Sequence, residues 1–130
     1  MIHISATVKG EPDTDPFTQT FIYVDKSDEQ IFYDSVGMIN EKLDRNLKIN
    51  LNESIMIYCE YIVKKVRERK AVRVIEKSSQ KILKADKVMI GVPETLRRII
   101  FEVRIDKLPK RHIILKEPIP TSDYILAARK

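Results

Sequence analysis

The segment Asp86–Ile105, DKVMIGVPETLRRIIFEVRI, changes hydrophobic period within twenty residues and carries Gly91 and Pro93 at the break. Asp86 is suited to open a short helix, and Val88, Met89 and Val92 supply a short apolar face. Gly91 can adopt the left-handed conformation that ends a helix, and Pro93 just beyond stops the helix from resuming. From Ile99 the pattern alternates, with Ile100, Glu102, Arg104 and Asp106 on one side and Phe101, Val103 and Ile105 on the other. That period of two predicts a strand with one buried face, so the chain must fold as helix, break and strand in close succession.

The same alternation occurs at the start, where Ile2, Ile4, Ala6 and Val8 interleave with His3, Ser5, Thr7 and Lys9. A second candidate strand, Phe17–Val24, follows the turn-rich run Gly10–Pro16, which predicts an N-terminal β-hairpin. Near the other end, Leu108–Arg111 offers a turn and His112–Lys116 a returning strand, before Pro118 and Pro120 stop it.

Between the hairpins the spacing is helical. Ser27 and Gln30 stand at capping-box spacing ahead of Phe32, Val36, Ile39 and Leu43, and Asn46 is placed to end that helix in the left-handed conformation. Asn50 and Glu53 form a second box ahead of Ile55, Cys59, Ile62 and Val66, with an end expected near Lys70 among Lys64, Lys65, Arg67 and Arg69. A third helix is suggested by Val72, Ile75, Ser79 and Ile82, ending near Leu83, and Tyr124–Leu126 can form a last helical turn. The expected class is α+β: a cluster of about four helices with a C-terminal β-hairpin and an added N-terminal β-hairpin, the hairpins making one sheet or two. A length of 130 residues with 43% hydrophobic content suits a single domain, 1–130. It divides into an N-terminal hairpin extension (1–26), a core (27–119) and a tail (120–130).

Composition narrows the chemistry. No apolar run approaches the roughly 18 residues that span a bilayer, and the start lacks the pattern of a secretory signal, so a cytoplasmic protein without membrane association is expected. Cys59, the only cysteine, excludes an intrachain disulfide and a thiolate cluster, and its helical apolar face marks it as a core residue. The three glycines, Gly10, Gly37 and Gly91, are too scattered for a phosphate-cradling loop. His3 and His112 lie on separate predicted strands without a third ligand at metal-site spacing. Glu53 and Glu60 read as cap and surface charge, and the aromatic residues read mostly as core. No catalytic, cofactor-binding or metal-binding residue is therefore assigned.

Charge is polarised. Lys64–Lys116 holds 17 Lys/Arg against 6 Asp/Glu, a balance of +11, which leaves 7 against 13, or −6, elsewhere. The basic segment suits nucleic acid or an acidic partner, or simply a solvated lysine-rich surface of the kind thermophilic proteins often carry.

Three blocks in series resemble the urease gamma subunit family. Leu47–Ile55 (LKINLNESI) is similar to the family's LKLNYPEAV, with Asn50 and Glu53 matching and Asn52 where the family has proline. Val74–Leu83 (VIEKSSQKIL) is similar to ELMEAGRTLL, with Ser79 in place of a glycine. Asp86–Glu94 (DKVMIGVPE) resembles DDVMEGVPE, and the hairpin closes at Glu117–Ile119 like the family's HDPI. The turn after Ile105 is about one residue longer than the family's FPDG turn, and the pI near 9.3 is more basic than the family's usual range. The resemblance covers Ser27–Ile119 and leaves the first 26 residues outside it.

The resemblance implies a non-catalytic structural subunit of a nickel-dependent urea-hydrolysing complex. Its partners would be the urease beta and alpha subunits, with nickel and the catalytic residues in the alpha subunit and no cofactor in this chain. Two other readings stand beside it: a recruited basic module for nucleic acid, and a stand-alone homo-oligomer, unrelated to urea, that pairs through the edge of the N-terminal hairpin.

Overall fold

Four strands, β1 (Ile2–Lys9), β2 (Thr18–Val24), β3 (Arg98–Ile105) and β4 (Arg111–Lys116), form one antiparallel sheet in the order β2-β1-β3-β4. The computed structural model describes residues 2–9, 18–24 and 29–120. The Gly10–Pro16 turn, the Ser27 cap and the tail from Thr121 lie outside the described residues.

The two expected hairpins are thus joined, through β1 against β3, with Ile2 opposite Ile105 and Val8 opposite Ile99. Alternation dictates this register. Ile2, Ile4, Ala6 and Val8 of β1, Ile99, Phe101, Val103 and Ile105 of β3, and Ile113 and Leu115 of β4 are all buried in one apolar layer. A slip of one residue in any of these strands would turn that strand's whole row to solvent, at a cost of about 1.5–3 kcal/mol for each of the larger side chains.

Helices cover that layer. The first, α1 (Glu29–Asp44), buries Phe32, Val36 and Ile39; α2 (Leu51–Arg67) buries Ile55, Tyr58, Cys59, Ile62 and Val66, among others. Two buried hydroxyls lock outlying chain onto α2: Tyr58 donates to the Pro118 carbonyl at 3.2 Å, and Tyr61 to the Ile75 carbonyl at 2.6 Å. The latter ties down α3 (Val72–Ser78), which tightens into a 3-10 turn at Ser79–Lys81 where the buried Ser79 hydroxyl donates to Glu76 O at 2.6 Å.

Helix ends follow local chemistry. Asn50 accepts from Glu53 N at 2.8 Å while its own N–H donates to Glu53 Oε1 at 3.0 Å, so the expected capping box opens α2. Asn46 takes φ 60° to end α1, as its position predicts, and Leu47 N–H returns to the Lys42 carbonyl at 2.9 Å. The second helix ends at Arg67, short of the expected Lys70. Its left-handed residue is Arg69 (φ 57°), with Arg69 N–H on Val66 O and Lys70 N–H on Lys65 O.

The segment around Gly91 corrects the sequence expectation. Ala85–Lys87 makes one 3-10 turn, after which the chain extends at Val88 and bridges to Ile49, with Met89 N–H on the Ile49 carbonyl at 2.9 Å. Gly91 is left-handed (φ 92°), but it precedes a helix instead of ending one. It caps α4 (Val92–Thr95), whose first turn contains Pro93. Proline fits there because the N–H it lacks would be unpaired in any case. Val88, Met89 and Val92 therefore do not share a helical face: Val88 and Val92 are buried while Met89 is 46% exposed.

Candidate functional site

The outer face of the sheet carries the residues that interleave with the core rows. His3 of β1 stands opposite Arg104, Ser5 opposite Glu102, and Glu102 opposite His112 of β4. Both histidines therefore reach one face, with β3 between them. Two strand spacings, about 9.5 Å, separate their strands, and they are offset by two residues along β3, since His3 pairs with Arg104 and His112 with Glu102. Glu102 is engaged by Lys110 Nζ at 3.2 Å and His112 Nε2 at 3.5 Å. Among the described residues no group of three or more His, Cys, Asp or Glu is placed to hold a metal ion. A nickel centre does not fit the donor set present there.

Cys59 is fully buried, and desolvation pushes its thiol up to about 12, so it stays protonated and packs as an apolar residue. Glu53 performs the capping expected of it and also accepts from Lys42 Nζ at 2.6 Å. Partial burial pushes its carboxyl up, but the Asn50 N–H and the Lys42 ammonium outweigh that and hold it below the usual carboxylate range.

Sequence spacing did not show the clamp between α1 and α2. Arg67 donates from Nη2 to Glu29 Oε1 and from Nη1 to Tyr33 Oη, each at 2.6 Å. Desolvation opposes the charge on Arg67, yet Glu29 and Tyr33 together stabilise it and raise its pKa. The only available signal was charge of opposite sign on two helices, which many pairings satisfy. Basic residues of the Lys64–Lys116 segment are divided among such roles. Lys65 pairs with Glu68, Arg97 with Glu117 at 2.7 Å and Lys110 with Glu102, while Arg111 donates to the Lys70 carbonyl at 2.9 Å.

The surface also carries apolar side chains. Ile90 is 82% exposed at the tip of the turn before Gly91, Met89 lies beside it, and Leu51, Val92 and Thr95 line a shallow cleft at its base. In the family block quoted above, the position of Ile90 is glutamate and that of Lys87 is aspartate. Ile90 and Met89 thus stand exposed side by side on a turn anchored on one flank by the Ile49 bridge.

Polar groups committed to caps and an inter-helix clamp, and a helical layer on a single four-stranded sheet, define a module of α+β class. Comparison with known proteins gives the family. A family model described as urease, gamma subunit, matches residues 23–119. The urease subunit gamma of Halalkalibacterium halodurans is 33% identical over 92 residues, covering 70% of this chain and 91% of that protein. That of Saccharopolyspora erythraea is 27% identical over 75 residues, covering 58% of this chain and 75% of its own. The chain belongs to the urease gamma subunit family. The match begins at Tyr23, four residues before the Ser27 start expected from sequence and inside β2, and ends at Ile119 as expected. All of β1 and most of β2 stand outside it. Among the described residues no helix is long and apolar enough to cross a membrane.

Proposed function

We propose that this chain is a non-catalytic structural subunit of a cytoplasmic, nickel-dependent urea-hydrolysing complex, with nickel and the reacting groups held by partner chains. Family membership carries the reading. The exposed Met89, which matches the family block, supports it, since a large apolar side chain left in solvent is suited to be covered by another chain. Residues 1–130 act as one domain in which the hairpin of residues 1–26 extends the family core. The partners are the urease beta and alpha subunits, and the gamma-like chain fixes the geometry of a site it does not itself line.

Co-expression with the two larger urease chains of the same genome, followed by native mass spectrometry and a urea-hydrolysis assay, tests this. The expected outcome is a stoichiometric complex active only when all three chains are present. Urea hydrolysis by the isolated chain, or failure of the larger chains to associate with it, would refute the proposal.

A further inference from the structure

A cleft of about 460 Å³ lies where the end of α2 meets the β3–β4 turn, lined by Val66, Arg69, Lys70, Ala71, Leu108, Pro109 and Arg111. Three of these residues are cationic and none is acidic. The nearest carboxylates in sequence are outside the lining. Glu68 pairs with Lys65 at 3.5 Å, and Asp106 lies before the turn and interacts electrostatically with Arg67. Among the described residues the side chains of Arg69 and Lys70 meet no carboxylate. Arg111 is already oriented, because its Nη1 donates to the Lys70 carbonyl at 2.9 Å, leaving the other guanidinium donors for a second acceptor.

The backbone supplies an independent observation. Arg69 is left-handed at φ 57°, in the position after a helix that glycine usually fills because a Cβ there is strained. The same turn at the end of α1 uses Asn46, a residue tolerant of that conformation. Arg69 is thus a left-handed non-glycine residue, as Asp106 and Glu117 are, and it stands beside two further cations in a concavity with no acidic residue among its described lining.

We propose that this cleft binds a small, multiply charged oxyanion, phosphate or polycarboxylate, between Arg69, Lys70 and Arg111. Val66, Leu108 and Pro109 supply the apolar part of its lining, while Arg69 and Lys70 are exposed and Arg111 half-buried, so charge-assisted bonds there form in contact with solvent. This site is separate from the Met89–Ile90 surface and does not depend on the urease-subunit reading.

The test is titration of the full chain with inorganic phosphate and, separately, with citrate, at constant ionic strength, followed by amide chemical shifts and by thermal melting. Saturable shifts at residues 66–71 and 108–111 with either anion are expected, and the stronger of the two identifies the ligand type. Arg69→Gly relieves the left-handed strain, so it folds at least as well as the parent while its anion affinity falls about fivefold, as for loss of one partly exposed ion pair. Arg111→Ala gives a second, independent loss. Non-saturable shifts spread over the surface, or unchanged affinity in a folded Arg69→Gly variant, would overturn the assignment.

Discussion

Replacing Gly37 and Gly91 by alanine should move stability in opposite directions. At both positions an added Cβ meets no heavy atom within 4 Å, so steric contact contributes nothing and the backbone alone decides the sign. Gly37 sits within α1, on its exposed side, where alanine reduces the freedom of the unfolded chain and fits the folded one. The gain is about 0.5–1 kcal/mol. Gly91 has φ 92°, outside the range an L side chain adopts readily, and alanine there costs about 1–2 kcal/mol. The two variants thus differ by about 2 kcal/mol, or roughly 1 M in urea midpoint for a slope near 2 kcal/mol/M. Equilibrium unfolding followed by circular dichroism measures this, with equal slopes required for the comparison. Shifts of the same sign, or a difference under about 0.5 kcal/mol, would refute the argument that φ governs both sites.

Two further outcomes concern titration. The folded-state pKa of Glu53 is depressed, so its contribution to stability is complete above the unfolded value near 4.3 and is lost as pH falls through the lower folded value; in Glu53→Gln the acid-side decline should be correspondingly shallower in pH-dependent urea unfolding. Cys59 has a raised folded pKa of about 12, so the fold favours its protonated form and stability falls once pH exceeds the unfolded value near 8.5. A chromogenic disulfide reagent should leave the native thiol unmodified at pH 8 and react at once in denaturing urea, and prompt reaction with native protein would contradict the burial.

Elements set by local rules were legible in the sequence. Period two identified β1 and β3, the turn at Leu108–Arg111 and the prolines beyond Lys116 bounded β4, and the Asn50–Glu53 box located the start of α2 within a residue. What escaped was decided by distant parts of the chain. Gly91 followed closely by Pro93 can spell the end of one helix or the beginning of the next. The pairing of Ile49 with Val88 chooses the second, because it holds the preceding residues extended. The fusion of two hairpins into one sheet rests on matching apolar rows that no local signal connects. Arg69 escaped for the opposite reason: nothing about an arginine announces a left-handed turn, so the polarised charge of Lys64–Lys116 pointed to the basic segment but not to the cleft that gathers Arg69, Lys70 and Arg111.

The central place of β1 has a consequence for how the protein is made. Its partner β3 begins only at Arg98, so during synthesis the apolar row Ile2, Ile4, Ala6 and Val8 emerges from the ribosome long before the strand that will cover its flank. Pairing with β2 is available early and gives that row a local, provisional neighbour, but β1 gains its second neighbour only when synthesis has passed Ile105. Such late, long-range closure slows folding and exposes an unfinished strand edge in the interval. The hairpin outside the family match is therefore the part of this molecule whose assembly depends most on translation reaching its later strands.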